Sequence, residues 1–105
     1  MGIDFNPANP VRFQLGRIVA TRGVMSATCH DLRMQCLARH LSGDWGCCDD
    51  EDKATNDAAV TLGNRILSAY PLDPALPCKG YGANTLWIIT EADRSATTLL
   101  LPDEY

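Results

Sequence analysis

Apolar residues alternate with polar ones along "VRFQLGRIVAT", with Phe13, Leu15 and Val19 on one side and Ile18 and Ala20 on the other. That period of two predicts a first strand, with Gly16 marking a bulge or a close approach. "TRG" then supplies a turn. From Val24 to Leu41 the period lengthens to that of a helix but changes phase. Met25, Cys29 and Leu32 share one stripe, whereas Met34, Leu37, Ala38 and Leu41 recur at i, i+3, i+4 and i+7. A short first turn followed by a proper helix fits this shift. Thr28 would cap that helix, Asp31 would add charge to its first turn, and Gly43 would end it after Arg39 and His40. The next helix is expected after Asp49 or Asp50 as cap, with Ala54, Ala58 and Leu62 along one side and Gly63 at its close.

"RILSAY" alternates again and predicts a second strand, followed by the turn-rich "PLDPALPCKGYGAN". In "TLWIITEA" both faces are apolar, as expected of a central strand, and "TTLLLP" makes a fourth that stops at Pro102. The order β-α-α-β-β-β implies a single α+β domain over residues 11–105. Its four-stranded sheet would be mainly antiparallel, with helices packed on one face. Residues 1–10, with Pro7 and Pro10, read as a flexible N-terminal arm.

Length and composition narrow the class. A chain of 105 residues builds one small core with little surplus stability, so a C₂ homodimer is a compatible arrangement. No apolar stretch approaches the roughly 20 residues of a bilayer span, and "MGIDFNPANP" lacks the basic and apolar regions of an export signal. A cytoplasmic location is therefore expected, with no membrane partner. Thirteen acidic residues against nine basic ones leave a net charge of −4, which disfavours nucleic acid as a partner. The acidic run from Asp49 to Asp52 is accounted for by a helix N-terminus. Five cysteines without a C-x-x-C pair suit reduced thiols rather than a disulfide framework.

Three clusters carry candidate chemistry. Cys36 and His40 are four apart on one helix edge, away from the apolar stripe, and Cys47 and Cys48 follow; together they would suit a zinc ion, though at no common spacing. In "HLSGDWG", Trp45 is either a recognition anchor or a cover for the core. In "TEADRS", Thr90, Glu91, Asp93, Arg94 and Ser95 form either a hairpin turn or, with His40 and Asp44, an acid–base site. The turn explains these residues with fewer requirements. No phosphate loop, nucleophile elbow or metalloprotease helix is present, which weighs against an enzyme and gives no reason to expect a cofactor.

Taken together, "RFQLGRIVAT", "LARHLSGDWG", "NRILSAY" and "LWIITEADRSATTLLLPDEY" resemble a group of short bacterial proteins carried on plasmids and other mobile elements. Members are labelled hypothetical or plasmid-related, and sometimes type I restriction–modification subunit. The resemblance implies a bacterial cytoplasmic setting and a small accessory protein that binds another macromolecule, such as a host-defence or regulatory factor. On that expectation the partner is a protein, and Trp45, Tyr81, Trp87 and Arg94 are the binding candidates. The alternative is a small enzyme acting on RNA or a small molecule through His40, Asp44, Glu91, Asp93 and Arg94.

Overall fold

A computed structural model describes residues 11–105, so the expected arm over residues 1–10 lies outside the described residues. The elements run β1 (Arg17–Ala20), α1 (Arg22–Ala27), α2 (His30–Leu41), α3 (Asp50–Leu62), β2 (Ile66–Tyr70), β3 (Leu86–Thr90) and β4 (Ala96–Leu100), with a 3₁₀ turn at Pro102–Glu104. The fold is a single α+β domain. The chain breaks at Thr28–Cys29 and not where the apolar stripe changes phase, between Leu32 and Met34, so α1 is a separate helix and three helices stand where the β-α-α-β-β-β order implied two.

The caps explain that division. Thr21 accepts a hydrogen bond from the Val24 N–H and opens α1. Thr28 ends it, its hydroxyl donating 2.6 Å to the Val24 carbonyl, so Thr28 is not the cap of the longer helix. That role falls to the Cys29 thiol, which accepts weakly from the Leu32 N–H at 3.5 Å. Asp49 caps α3 as expected, accepting 2.8 Å from the Asp52 N–H, and Gly63 ends it in the left-handed conformation.

The strand order is β1-β4-β3-β2. β2–β3 and β3–β4 pair antiparallel, whereas β1 lies parallel to β4 and makes the sheet mixed. β3 is internal as its two apolar faces required, and β4 is internal too. The first strand is shorter than the alternation implied. Gly16, at φ +64°, turns the chain against the β3–β4 hairpin, where an added Cβ would lie 2.2 Å from the Arg94 carbonyl oxygen. Phe13 and Leu15 thus reach the core from a loop, not from β1.

One face of the sheet presents Ile66, Ser68 and Tyr70, then Leu86, Ile88 and Thr90, then Thr97 and Leu99. Val24 of α1, Leu37 and Leu41 of α2 and Ala59 of α3 join these in one core with Phe13 and Trp45. Fully buried Leu37, Ile66, Ile88 and Leu99 each contribute roughly 1.5–3 kcal/mol relative to exposure. Ile89 and Leu100 point to the opposite face and are also buried.

The two sheet edges differ. On β2, the Asn56 side chain accepts from the Leu67 N–H at 3.2 Å and donates to the Leu67 carbonyl at 2.7 Å. The loop after α2 takes the next pair of groups: the Cys47 N–H donates to the Ala69 carbonyl, and the Ala69 N–H to that of Trp45. Gly46 makes this possible, since a Cβ there would meet the Ala69 oxygen at 2.0 Å. This edge is closed to further strands. β1 forms the other edge, and its residues are exposed or half-exposed.

Candidate functional site

Four side chains from four elements form a continuous polar line beneath α2. His40 reaches Ser68 on β2 through Nδ1 and Thr90 on β3 through Nε2, the latter at 2.8 Å. Thr90 meets Thr97 of β4 at 2.7 Å, and the Thr97 hydroxyl donates 2.7 Å to the Leu15 carbonyl. All four side chains are fully buried.

The direction of every proton follows from the last bond. Thr97 has one hydroxyl hydrogen and spends it on Leu15, so it accepts from Thr90. Thr90, its own hydrogen spent, accepts from His40, which places the imidazole proton on Nε2. Nδ1 is then bare and accepts from the Ser68 hydroxyl. The ring is neutral: burial, and next the charge of Arg94, push its pKa down from 6.5 to about 3.

A serine hydroxyl donating to an imidazole is the arrangement of an activated nucleophile. Here Ser68 and His40 have no exposed surface, so no substrate reaches them. The expected exposed edge of α2 is in fact its buried one, because Cys36 and His40 pack inward beside Leu37 and Leu41. This also removes His40 as a metal ligand, since both ring nitrogens are occupied by hydroxyls. Among the described residues no group of three metal-ligating side chains converges, and Cys36 and Cys48 are buried. Burial raises the thiol pKa of Cys36 to about 11 and of Cys47 to about 12, which keeps both as thiols.

The other acid–base candidates do not gather around His40. Asp44 forms a two-point pair with Arg39, at 2.7 and 3.2 Å, and accepts from the Gly46 N–H. The Arg39 hydrogen bond holds its carboxyl below the usual range. Glu91 and Asp93 are exposed in the β3–β4 turn, where the Asp93 carboxylate accepts from the Ser95 N–H at 3.0 Å. Arg94 serves as a clamp. Its guanidinium donates to the carbonyls of Asn64, Glu91 and Ala59, at 2.7, 3.1 and 3.0 Å, tying the hairpin to the end of α3. It does so from φ +60°, a left-handed conformation that disfavours arginine. Arg94→Ala is therefore expected to destabilise by about 1–3 kcal/mol, and Arg94→Gly by less, since glycine relieves the backbone while losing the same bonds. Urea denaturation of the two variants checks the order.

Of the binding candidates, Trp45 is buried: it stacks 6.2 Å from Phe13 and donates 2.9 Å to Asp57 through Nε1. Tyr81 is exposed on the long loop, its backbone carbonyl accepting from the Thr85 hydroxyl. Trp87 lines an open cleft on the face of the sheet away from α2. Its indole N–H donates 2.8 Å to the Gly80 carbonyl, and its ring meets Tyr105 edge-on at 5.8 Å. The Arg65 guanidinium lies 5.2 Å above the Tyr105 ring and donates 2.7 Å to its hydroxyl. Leu67 forms the floor, and Asp52, Thr55 and Asn56 of α3 form the third wall of a cavity of about 370 Å³. Alternation places Leu67 and Trp87 on one face, but nothing in the pattern points to Arg65 or Tyr105 beside them.

Comparison of the chain with protein-family profiles, curated proteins and solved structures finds no match in any of the three. Among the described residues no helix is long and apolar enough to cross a membrane.

Proposed function

We propose that this chain is a small non-catalytic binding protein that engages a partner protein through the Leu67–Trp87–Tyr105 cleft. The single observation that supports this reading is the contrast in access. The nucleophile-like pair Ser68–His40 is sealed, while an aromatic cleft with Arg65 and Asp52 at its rim is open. Clefts with apolar aromatic walls and a few fixed polar groups are the usual form of a recognition site. A volume of about 370 Å³ accommodates one large side chain of a partner and its neighbours, not an extended chain. Tyrosine, tryptophan and arginine are the residue types that most often concentrate binding energy. The resemblance to proteins of mobile elements supports a bacterial setting and a regulatory or host-directed partner as part of the same proposal.

Tyr105 is exposed, so Tyr105→Ala leaves the core untouched and tests the cleft directly. Affinity capture from bacterial lysate is expected to yield one stoichiometric protein with the wild-type chain. That protein is expected to bind Tyr105→Ala or Arg65→Ala about 10-fold or more weakly, as loss of a central anchor implies. Equal capture by both variants, or no stoichiometric protein at all, would overturn the reading.

A further inference from the structure

Strand β1 is the one sheet edge that the described residues leave open. Its parallel ladder to β4 uses the N–H groups of Arg17 and Thr21, which donate to Ser95 and Leu99 at 3.0 Å. By alternation the N–H and C=O groups of Ile18 and Ala20 face outward. No described residue bonds to them. Ile18 and Val19 are 46% and 40% exposed, so the strand offers apolar surface beside those groups. The contrast with β2 is specific, since Asn56 and the 45–47 loop close that edge group by group. β1 carries neither proline, bulge nor inward charge to discourage pairing.

Charge decides what fits. Arg17 begins the strand and Arg22 follows its end, and neither pairs with a described acidic side chain. The carboxylate nearest the strand's end is that of Glu104. It is occupied by the Thr21 hydroxyl and by the Gly23 and Leu101 N–H groups. An antiparallel pair of two β1 strands from two copies would set Ile18 opposite Ala20, with Arg17 of each copy opposite Thr21 of the other, and would gather four arginines, Arg17 and Arg22 of both copies, along one seam. That concentration of like charge disfavours a second copy. A partner strand with acidic residues at both ends and apolar ones between them meets no such penalty.

We infer that β1 accepts an extended segment of a partner protein as a fifth strand, and that this segment is apolar in its middle and acidic at both ends. The outward groups of Ile18 and Ala20 supply the main-chain bonds, Ile18 and Val19 the apolar contact, and Arg17 and Arg22 the selection for charge. This surface lies at the opposite edge of the sheet from the Trp87–Tyr105 cleft and does not depend on it.

Two synthetic hexapeptides test it, each with Val-Ile-Val at the centre, one ended by acidic residues and the other by lysines. Titration of the full-length chain, followed by amide NMR, is expected to shift the Ile18 and Ala20 signals with the acidic peptide. Binding should be at least about 10-fold weaker with the lysine peptide and should weaken with added salt. Ile18→Pro removes an outward N–H that the fold does not use, so the chain should stay folded by circular dichroism while binding is lost. Arg17→Glu with Arg22→Glu should reverse the preference between the peptides. The inference is overturned by equal binding of the two peptides, or by no shift at about 1 mM acidic peptide. Concentration-dependent protection of the Ile18 and Ala20 amides without peptide would also overturn it, since the edge would then belong to a second copy. Because Tyr105→Ala leaves β1 unchanged, failure here and failure of the cleft are read separately.

Discussion

Replacing His40 by alanine is expected to lower the free energy of unfolding by about 3–5 kcal/mol. Two costs add. The imidazole lies between Phe13, 5.2 Å away edge-on, and Trp45 at 5.9 Å, so its removal leaves a cavity inside the aromatic cluster. The second cost is polar: Ser68 loses its acceptor and Thr90 its donor in a place no solvent reaches. Small domains have total stabilities of roughly 5–15 kcal/mol, so the variant would sit near its folding threshold. Ser68→Ala removes only the terminal donor of the line and leaves Nδ1 bare, which should cost about 1–3 kcal/mol. A urea titration showing His40→Ala no worse than Ser68→Ala would refute the central role given to the imidazole.

The second large effect is on acid stability. In the folded chain the His40 pKa lies near 3, against 6.5 for an imidazole free of the fold. Above pH 6.5 both states are neutral and stability is complete. As pH falls below 6.5 the unfolded chain takes up a proton that the folded chain refuses, so stability declines at up to about 1.4 kcal/mol per pH unit. The decline ends near pH 3, when the folded ring protonates as well, and its sum is of the order of 3–5 kcal/mol. Among the described residues, Arg94 is the charged group whose field reaches the ring, and it strengthens the effect by opposing a second positive charge. Asp44, whose carboxyl the Arg39 bond holds low, adds to the loss in the same direction, but only below its ordinary value of 3.8. Stability measured by chemical denaturation between pH 7 and pH 5.5 should therefore fall, above the range in which the carboxylates titrate. A flat profile over that range would show that His40 is not sealed.

Particular elements show what a linear pattern carries and what it omits. The β3–β4 hairpin was legible because each half of its information is local: alternation in "LWIIT" and "ATTLL", and Asp93 and Ser95 bonding to each other across the turn. The caps at Asp49 and Gly63 are local for the same reason. The buried edge of α2 looks exposed in the sequence because hydropathy counts histidine as polar, whereas two hydroxyls on the facing strands make His40 a core residue. Those hydroxyls belong to Ser68 and Thr90, 28 and 50 positions away, and no pattern within a helix announces them. The parallel pairing of β1 was invisible on similar grounds, because a strand's partner is set by the whole topology. In the cleft, Trp87 stood out as a large aromatic, but Arg65 and Tyr105 are joined to it only by folding.

The pairing of the first strand with the last has a consequence for how the protein is made. Thr97 closes on Leu15 across 82 positions, and the β1 ladder runs from Arg17↔Ala96 to Ala20↔Leu99. On the ribosome, β1 emerges early and then waits while α1, α2, α3, β2 and β3 are synthesised. During that interval Ile18 and Val19 remain unpaired on a growing chain. The sheet is completed only when β4 arrives and links to strands on both of its sides, so the domain closes in one late step rather than by stepwise addition. Chaperone binding to the chain should accordingly persist until β4 has left the ribosome and paired, and end there.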